Sequence, residues 1–277
     1  MTFSIVARSD DGESWGVAVA SKFLAVGSAV PAAVAGVGAI ATQAWANVAY
    51  KGIALSHLDE GATAGIALQR LLEEDDGRDH RQVGIVDVEG QAASHTGPEC
   101  LEWAGSLIGD GYAIQGNILT GEEVVLAMEA AYVASDPETP LAQRLMAALR
   151  AGDSAGGDAR GRQSAALLVV RDGAGYDGRD DIEVDLRVDD HTSPVDELER
   201  LLGLHQDLNA EISEDERTPD TPELLAELDS RARALGHRSF VVWMGTNNYE
   251  NLGGVGWTAT RVVEELRAAT PDWRAGA

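Results

Sequence analysis

The chain has little cysteine, little lysine and few aromatic residues, and it has no long apolar run. Its one cysteine, Cys100, has no partner for an intrachain disulfide and excludes a multi-cysteine zinc site. A lone cysteine of this kind reads as a small core residue. Lys22 and Lys51 are the only lysines among 21 basic residues, which face 46 acidic ones for a formal net charge of -25. A surface so acidic cannot neutralise phosphates, which argues against nucleic acid and anionic membranes as partners. It suits a salt-rich cytoplasm, where dense ions screen the self-repulsion. The melting temperature is therefore expected to rise from low to multimolar salt, and an unchanged value would count against this reading. The most apolar stretch, residues 25–46, is broken by Gly27, Pro31, Gly36 and Gly38, so no membrane span is expected. Neither a basic-then-apolar leader nor a twin arginine opens the chain, and a cytoplasmic location is expected. HExxH, GxGxxG and P-loop patterns are missing as well, so neither a metal nor another cofactor is expected.

What is present is a hydrophobic content of 44%, enough for one ordinary domain and a smaller one in 277 residues. Phe3, Ile5 and Ala7 alternate with Ser4, Val6 and Arg8, a polar turn follows, and residues 15–20 return as a second strand. Short strands are predicted over 28–30 and 38–43, helices over 47–58 and 63–72, and a hairpin over 82–95. Residues 106–115 read as strand interrupted by Gly109-Asp110-Gly111. Thr120-Gly121-Glu122-Glu123 reads as a capping box opening a helix, and Thr139-Pro140 caps another. Strands over 163–171 and 182–188 lead to a helix from Pro194. Strands in antiparallel blocks separated by helix pairs imply an α+β fold of stacked sheets with helices outside. Residues 206–221 are acidic and read as a solvated linker. Beyond them, helices over 222–235 and 259–266 flank a strand-like Phe240–Met244. The expected organisation is a domain over 1–205, a linker over 206–221 and a small module over 222–277.

Thr2 is the first candidate for chemistry. Removal of Met1, usual before a small residue, would place a hydroxyl and a free α-amine on one residue at the start of a strand. The amine can then take the proton of its own side-chain oxygen. An α-amine titrates at roughly 7.7–8.0, so part of it is neutral at pH 7. Lys22 ends the second strand of the opening hairpin, where an ammonium could approach Thr2 and lower the proton affinity of its oxygen and amine. A surface lysine is the alternative. Ser21 precedes Lys22, but neighbours on a strand point to opposite faces, so a Ser-Lys dyad ranks below Thr2 and Ser21 is assigned to substrate contact. Asn47, Asn117 and the amides near Gly156 and Gly157 are candidate donors to a substrate oxygen, with turn chemistry as the alternative. Asp158 and Arg160 either bind substrate as a charged pair or pin their loop. Asp189-Asp190-His191 and His95 read as structural.

Several separated segments carry a resemblance: Phe3-Ser4-Ile5-Val6-Ala7-Arg8, Val19-Ala20-Ser21-Lys22-Phe23, Ala41-Thr42-Gln43 with Asn47, Thr96-Gly97 and Gln115-Gly116-Asn117. Further on come residues 156–165 and Asp185-Leu186-Arg187-Val188-Asp189-Asp190-His191. Over 2–205 the chain resembles the N-terminal nucleophile (Ntn) hydrolases, and more closely the family called domain of unknown function 1028. That resemblance implies a four-layer αββα sandwich of two antiparallel sheets. It also implies an amidohydrolase acting on a small amide or peptide-like bond through an acyl-enzyme, with Thr2, Lys22 and Asn117 catalytic. A non-catalytic ligand-binding or assembly protein on the same fold is the alternative, and self-association into a homo-oligomer stays open. Residues 222–270 resemble a peptidoglycan-binding-like module, and the acidic composition resembles haloarchaeal proteins.

Overall fold

The computed structural model describes residues 2–274. The chain divides into two compact units, the first ending at Leu201 and the second beginning at Leu202. The opening hairpin forms as the alternation predicts, β1 (Thr2–Arg8) pairing antiparallel with β2 (Ser14–Ser21). After a four-residue helix α1 (Val26–Ala29) come β3 (Pro31–Val34) and β4 (Gly38–Ala44). Helices α2 (Tyr50–Asp59) and α3 (Ala64–Glu73) follow, then β5 (Arg81–Asp87) and β6 (Ala92–Thr96). The next hairpin is β7 (Gly105–Gly109) and β8 (Tyr112–Asn117), leading to α4 (Glu123–Ala134) and α5 (Leu141–Ser154). Strands β9 (Ser164–Arg171) and β10 (Ile182–Val188) and helix α6 (Pro194–Leu208) complete this part of the chain.

These strands make two antiparallel sheets, of six strands in the order β10-β9-β2-β1-β8-β7 and of four in the order β3-β4-β5-β6. Helices α4 and α5 lie against the larger sheet and α2 and α3 against the smaller, while β1, β2 and β8 face β4 and β5. Period-two alternation explains why β1 is buried on both faces. Phe3 turns toward α5, where a side-chain atom added at Gly152 would meet its ring at 3.2 Å. Val6 turns the other way and packs with Val17, Val19, Ala39, Ala41 and Val86 between the sheets. The same inward face carries Ser4 and Thr2, so the apolar layer becomes polar toward one end.

Several predicted details differ. Residues 26–29 are helical where a strand over 28–30 is expected, the strand starting instead at Pro31. The capping box at Thr120 is not made. Thr120 gives its backbone N–H to Gly157 O at 3.1 Å, and the helix begins at Glu123 without a side-chain cap. That tertiary bond outcompetes the local one.

The second unit holds a three-stranded antiparallel sheet, β11 (Arg217–Pro219), β13 (Trp257–Ala259) and β12 (Gly253–Gly254). With it pack α7 (Pro222–Ala234), α8 (Phe240–Thr246) and α9 (Thr260–Ala269) around Leu228, Phe240, Trp243, Val262 and Leu266. The strand-like run from Phe240 is therefore helix. Ser239 caps it by accepting from Val242 N, and Phe240 and Trp243, three apart, share a buried face. The stretch read as a linker is built into this unit through Ile212, which is buried, and through β11.

One carboxylate clamps two helices here. Glu227 on α7 accepts from Arg267 on α9 through both oxygens at 2.9 Å, and from Arg231 at 2.8 Å. Chiefly the Arg267 contact pulls its pKa down to about 2. A carboxylate depressed on folding stabilises above its unfolded pKa and loses that effect as pH falls toward the folded value. Glu227→Gln is expected to cost about 1 kcal/mol at pH 7, since solvent screening limits a partly exposed pair. The gap between the two denaturation midpoints should shrink as pH drops from about 4 toward 2.

Candidate functional site

Strand register assembles the site. Thr2 pairs with Asn117 on β8, and because Phe3 pairs with Ala20, Ser21 on β2 falls opposite Thr2 on the other side. Cross-strand partners share a face, so Ser21, Thr2 and Asn117 form a row directed at the four-stranded sheet. Thr2 Oγ1 lies 3.1 Å from Ser21 Oγ, and the threonine is 6% exposed. Side-chain alternation turns Lys22 away. Its exposed ammonium donates to Arg162 O at 3.2 Å and is not part of the cleft wall, while its backbone N–H donates to Asp158 Oδ2 at 2.7 Å.

Below the row runs a buried amide network from both sheets. Gln43 Nε2 donates to Thr2 O at 3.2 Å and to Gln82 Oε1 at 2.8 Å. Asn117 Nδ2 donates to the same Gln82 oxygen at 2.9 Å, and Gln82 Nε2 donates to Gly116 O at 2.7 Å. Ser4 Oγ donates to Gln43 Oε1, and Gln115 Nε2 donates to Ser4 Oγ. Polar groups this deep are tolerated because most of them satisfy one another, and such a network fixes side-chain positions in return. Gln115 Oε1 has no hydrogen-bond partner among the described residues.

A cleft of about 500 Å³ opens above Thr2, Gln43 and Asn117. Phe23, Trp45, Val48 and Leu101 line its mouth, with Cys100 in the wall and Glu99, His80 and Arg160 at the edge. Burial pushes the Cys100 thiol up in pKa, and its Sγ sits 3.4 Å from Arg81 O. Backbone strain gathers at the same place. Among the described residues, four non-glycine residues have positive φ: Ala25 (54°), Ala44 (66°), Ile118 (50°) and Asn248 (58°). Ala44 and Ile118 line the cleft, and Ala25 sits between Leu24 and the lining residue Val26. A β-branched residue such as Ile118 pays more than most for that conformation, and strain of this kind concentrates where a site needs a fixed shape.

The cleft wall at 44–48 is held by a charged anchor. Asp75 accepts from Arg81 Nε at 2.8 Å, Tyr50 Oη at 2.7 Å and Asn47 Nδ2 at 3.3 Å, while Arg81 donates to Trp45 O. Arg81 holds the Asp75 carboxyl well below the usual range. Burial, reinforced by Asp75, keeps the Tyr50 phenol protonated. Asn47 thus serves the anchor and does not line the cleft. Asp75→Asn is expected to cost roughly 2 kcal/mol by weakening a charge-assisted set. The segment 44–50 should then exchange amide hydrogens faster than its neighbours.

Gly156 and Gly157 also lie away from the cleft. Their N–H groups donate to Asp153 O and Gly152 O, and Gly157 fits at positive φ (55°) against the Phe3 ring. Asp158 is buried and accepts from the backbone of Lys22 and Arg160, and Arg160 Nη2 also reaches it at 3.3 Å. The pair fastens the loop and presents Arg160 at the cleft edge. Of the sequence candidates, Thr2, Ser21 and Asn117 come together, with Arg160 nearby. Sequence reasoning gave no role to Gln43, Gln82 or Gln115, although glutamines at inward strand positions are a readable signal.

The family model matches residues 2–198. The chain belongs to DUF1028, a family of unknown function. The crystal structure of protein SPO2555 from Silicibacter pomeroyi, whose title names the same family, is 32% identical with a TM-score of 0.67. It is matched over 74% of this chain and 89% of that one. Anbu (ancestral beta-subunit) from Yersinia bercovieri is 13% identical over 73% of this chain and 93% of its own, with a TM-score of 0.33. No curated protein matches. Among the described residues of this DUF1028 chain no helix is long and apolar enough to cross a membrane, and no group of three His, Cys, Asp or Glu could hold a metal ion.

Proposed function

We propose that the first unit is an amidohydrolase of the N-terminal nucleophile type, its helix pairs and two facing sheets forming the four-layer αββα sandwich of that class. With Met1 removed, Thr2 Oγ1 attacks an amide carbonyl carbon and its α-amine takes the hydroxyl proton. The tetrahedral oxygen is held by the Asn117 amide, which has a second N–H besides the one given to Gln82. Collapse breaks the C–N bond, the amine returns the proton to the leaving nitrogen, and water hydrolyses the resulting threonine ester. Ser21 sets the Thr2 rotamer. One observation carries the reading: Thr2 lines the cleft flanked in its sheet by Ser21 and Asn117, its hydroxyl 3.1 Å from Ser21 Oγ.

The position of Lys22 favours a second reading, a ligand-binding protein on the same fold, because its ammonium is spent on Arg162 O. Intact mass and labelling decide between them. The catalytic reading expects the isolated protein to lack Met1 and a β-lactone acylating probe to modify Thr2. Retained Met1, or a label placed elsewhere, supports the binding reading.

A further inference from the structure

The cleft walls identify what it binds. Phe23 is 56% exposed, Trp45 76%, Val48 54% and Leu101 67%. They come from three separate segments: the end of the opening hairpin, the strap after β4 and the loop after β6. All converge on one concavity. Scattered exposed apolar residues need no explanation, but a convergent set around a cavity does. The electrostatics point the same way. On a chain of net charge -25, Glu99 is the one acid in this lining, set against Arg160 at the edge. Ala44 and Ile118 hold strained backbone to shape the wall. At roughly 30 Å³ per water-sized group, about 500 Å³ has room for on the order of fifteen such groups. That is small-molecule size, within the range of ligand pockets.

We propose that the cleft binds a small neutral amide with an apolar acyl group, a chain of about six to nine carbons or an aryl-terminated equivalent. The Phe23, Trp45, Val48 and Leu101 side chains close over that group and its carbonyl faces Thr2 and Asn117. The specificity rests on the proposed function for its chemistry, but the binding does not. A charged acyl group would have to shed its water against these walls and reach past them to Arg160, already bound to Asp158 at the edge, and a short one would leave the walls uncovered.

The test separates binding from turnover. Full-length Thr2→Ala protein is titrated with acetamide, butanamide, hexanamide and 3-phenylpropanamide. Tryptophan emission is followed, with the response of a Trp45→Phe companion subtracted. Affinity is expected to rise about fourfold per methylene, roughly 250-fold over the four methylenes from acetamide to hexanamide. Leu101→Ala, at an exposed position, is expected to weaken hexanamide several-fold and leave acetamide unchanged. In parallel the unsubstituted protein is offered acetyl, hexanoyl, 3-phenylpropanoyl and γ-glutamyl 4-nitroanilides. Chain-length-dependent amide binding without any turnover upholds this proposal and removes the nucleophile reading. Turnover that prefers the acetyl or γ-glutamyl anilide overturns the proposal and leaves the nucleophile reading standing. A flat amide series overturns it, as does Trp45 emission that tracks protein concentration with dimer formation in sedimentation, since a second copy would then fill the cleft.

Discussion

Thr2→Ala is expected to abolish hydrolysis of any amide the protein turns over, by roughly 10³-fold or more in kcat. The reason is that in the proposed mechanism every covalent step runs through the Thr2 oxygen. Deleting it also removes the contact with Ser21 Oγ at 3.1 Å, a change worth about 1 kcal/mol of stability. A folded, inactive variant is therefore the expected result, with a melting temperature within a few degrees of the parent. Thr2→Ser keeps the nucleophile and should keep part of the rate. Kinetics of both variants beside their thermal melts check this, and an active Thr2→Ala enzyme removes Thr2 from the mechanism.

Gly97→Ala is expected to damage the first unit severely. A Cβ at this position would stand 2.2 Å from Asp79 O and 2.5 Å from the Asp79 carbonyl carbon. Both are backbone atoms, in a short 3-10 turn at 78–80, and cannot rotate out of the way. The contact is pinned on both sides, since Gly97 N donates to Arg81 O and Glu99 N donates to Asp79 O. The loop carrying Glu99, Cys100 and Leu101 would have to move off that turn, taking a cleft wall with it. Overpacking against backbone should cost roughly 3 kcal/mol or more, a fall on the order of 10 °C in melting temperature. Gly65→Ala is the control. It lies inside α3 with nothing within 4 Å and should stabilise by up to about 1 kcal/mol. Equal melting temperatures for the two variants would contradict this packing.

The elements most legible in the sequence are those whose period decides them. The opening hairpin, the 82–95 hairpin and α5, whose Leu141, Leu145, Ala148 and Leu149 make one stripe, follow from alternation or 3.6-residue spacing alone. One element escaped because a distant partner decides it: Thr120 turns from capping its own helix to bonding Gly157. The other, residues 240–246, is helical through local features that a strand-like apolar run conceals, the Ser239 cap and the Phe240–Trp243 pair. At the candidate site, parity was the missing step. Phe3 opposite Ala20 puts Ser21, and not Lys22, on the face of Thr2. The tight turn at residues 9–13 needed to fix that register was already visible. Asp75, Tyr50 and Arg81 were not readable as an anchor, because Tyr50 lies 25 residues from Asp75 and no local spacing brings it to the Asp75–Arg81 pair.

The place of β1 within its sheet has a kinetic consequence. It lies between β2, which follows it directly, and β8, which arrives more than a hundred residues further along. The hairpin can close early, while capture of β8 must first overcome the entropy of a long loop and is slow. Ser21 therefore meets Thr2 at the start of folding, but Asn117 joins them only when β8 docks. A half-folded chain carries the hydroxyl without the group proposed to stabilise charge on its target. On the proposed mechanism reactivity is thus switched on when β8 docks, and chains that have yet to capture it are chemically silent.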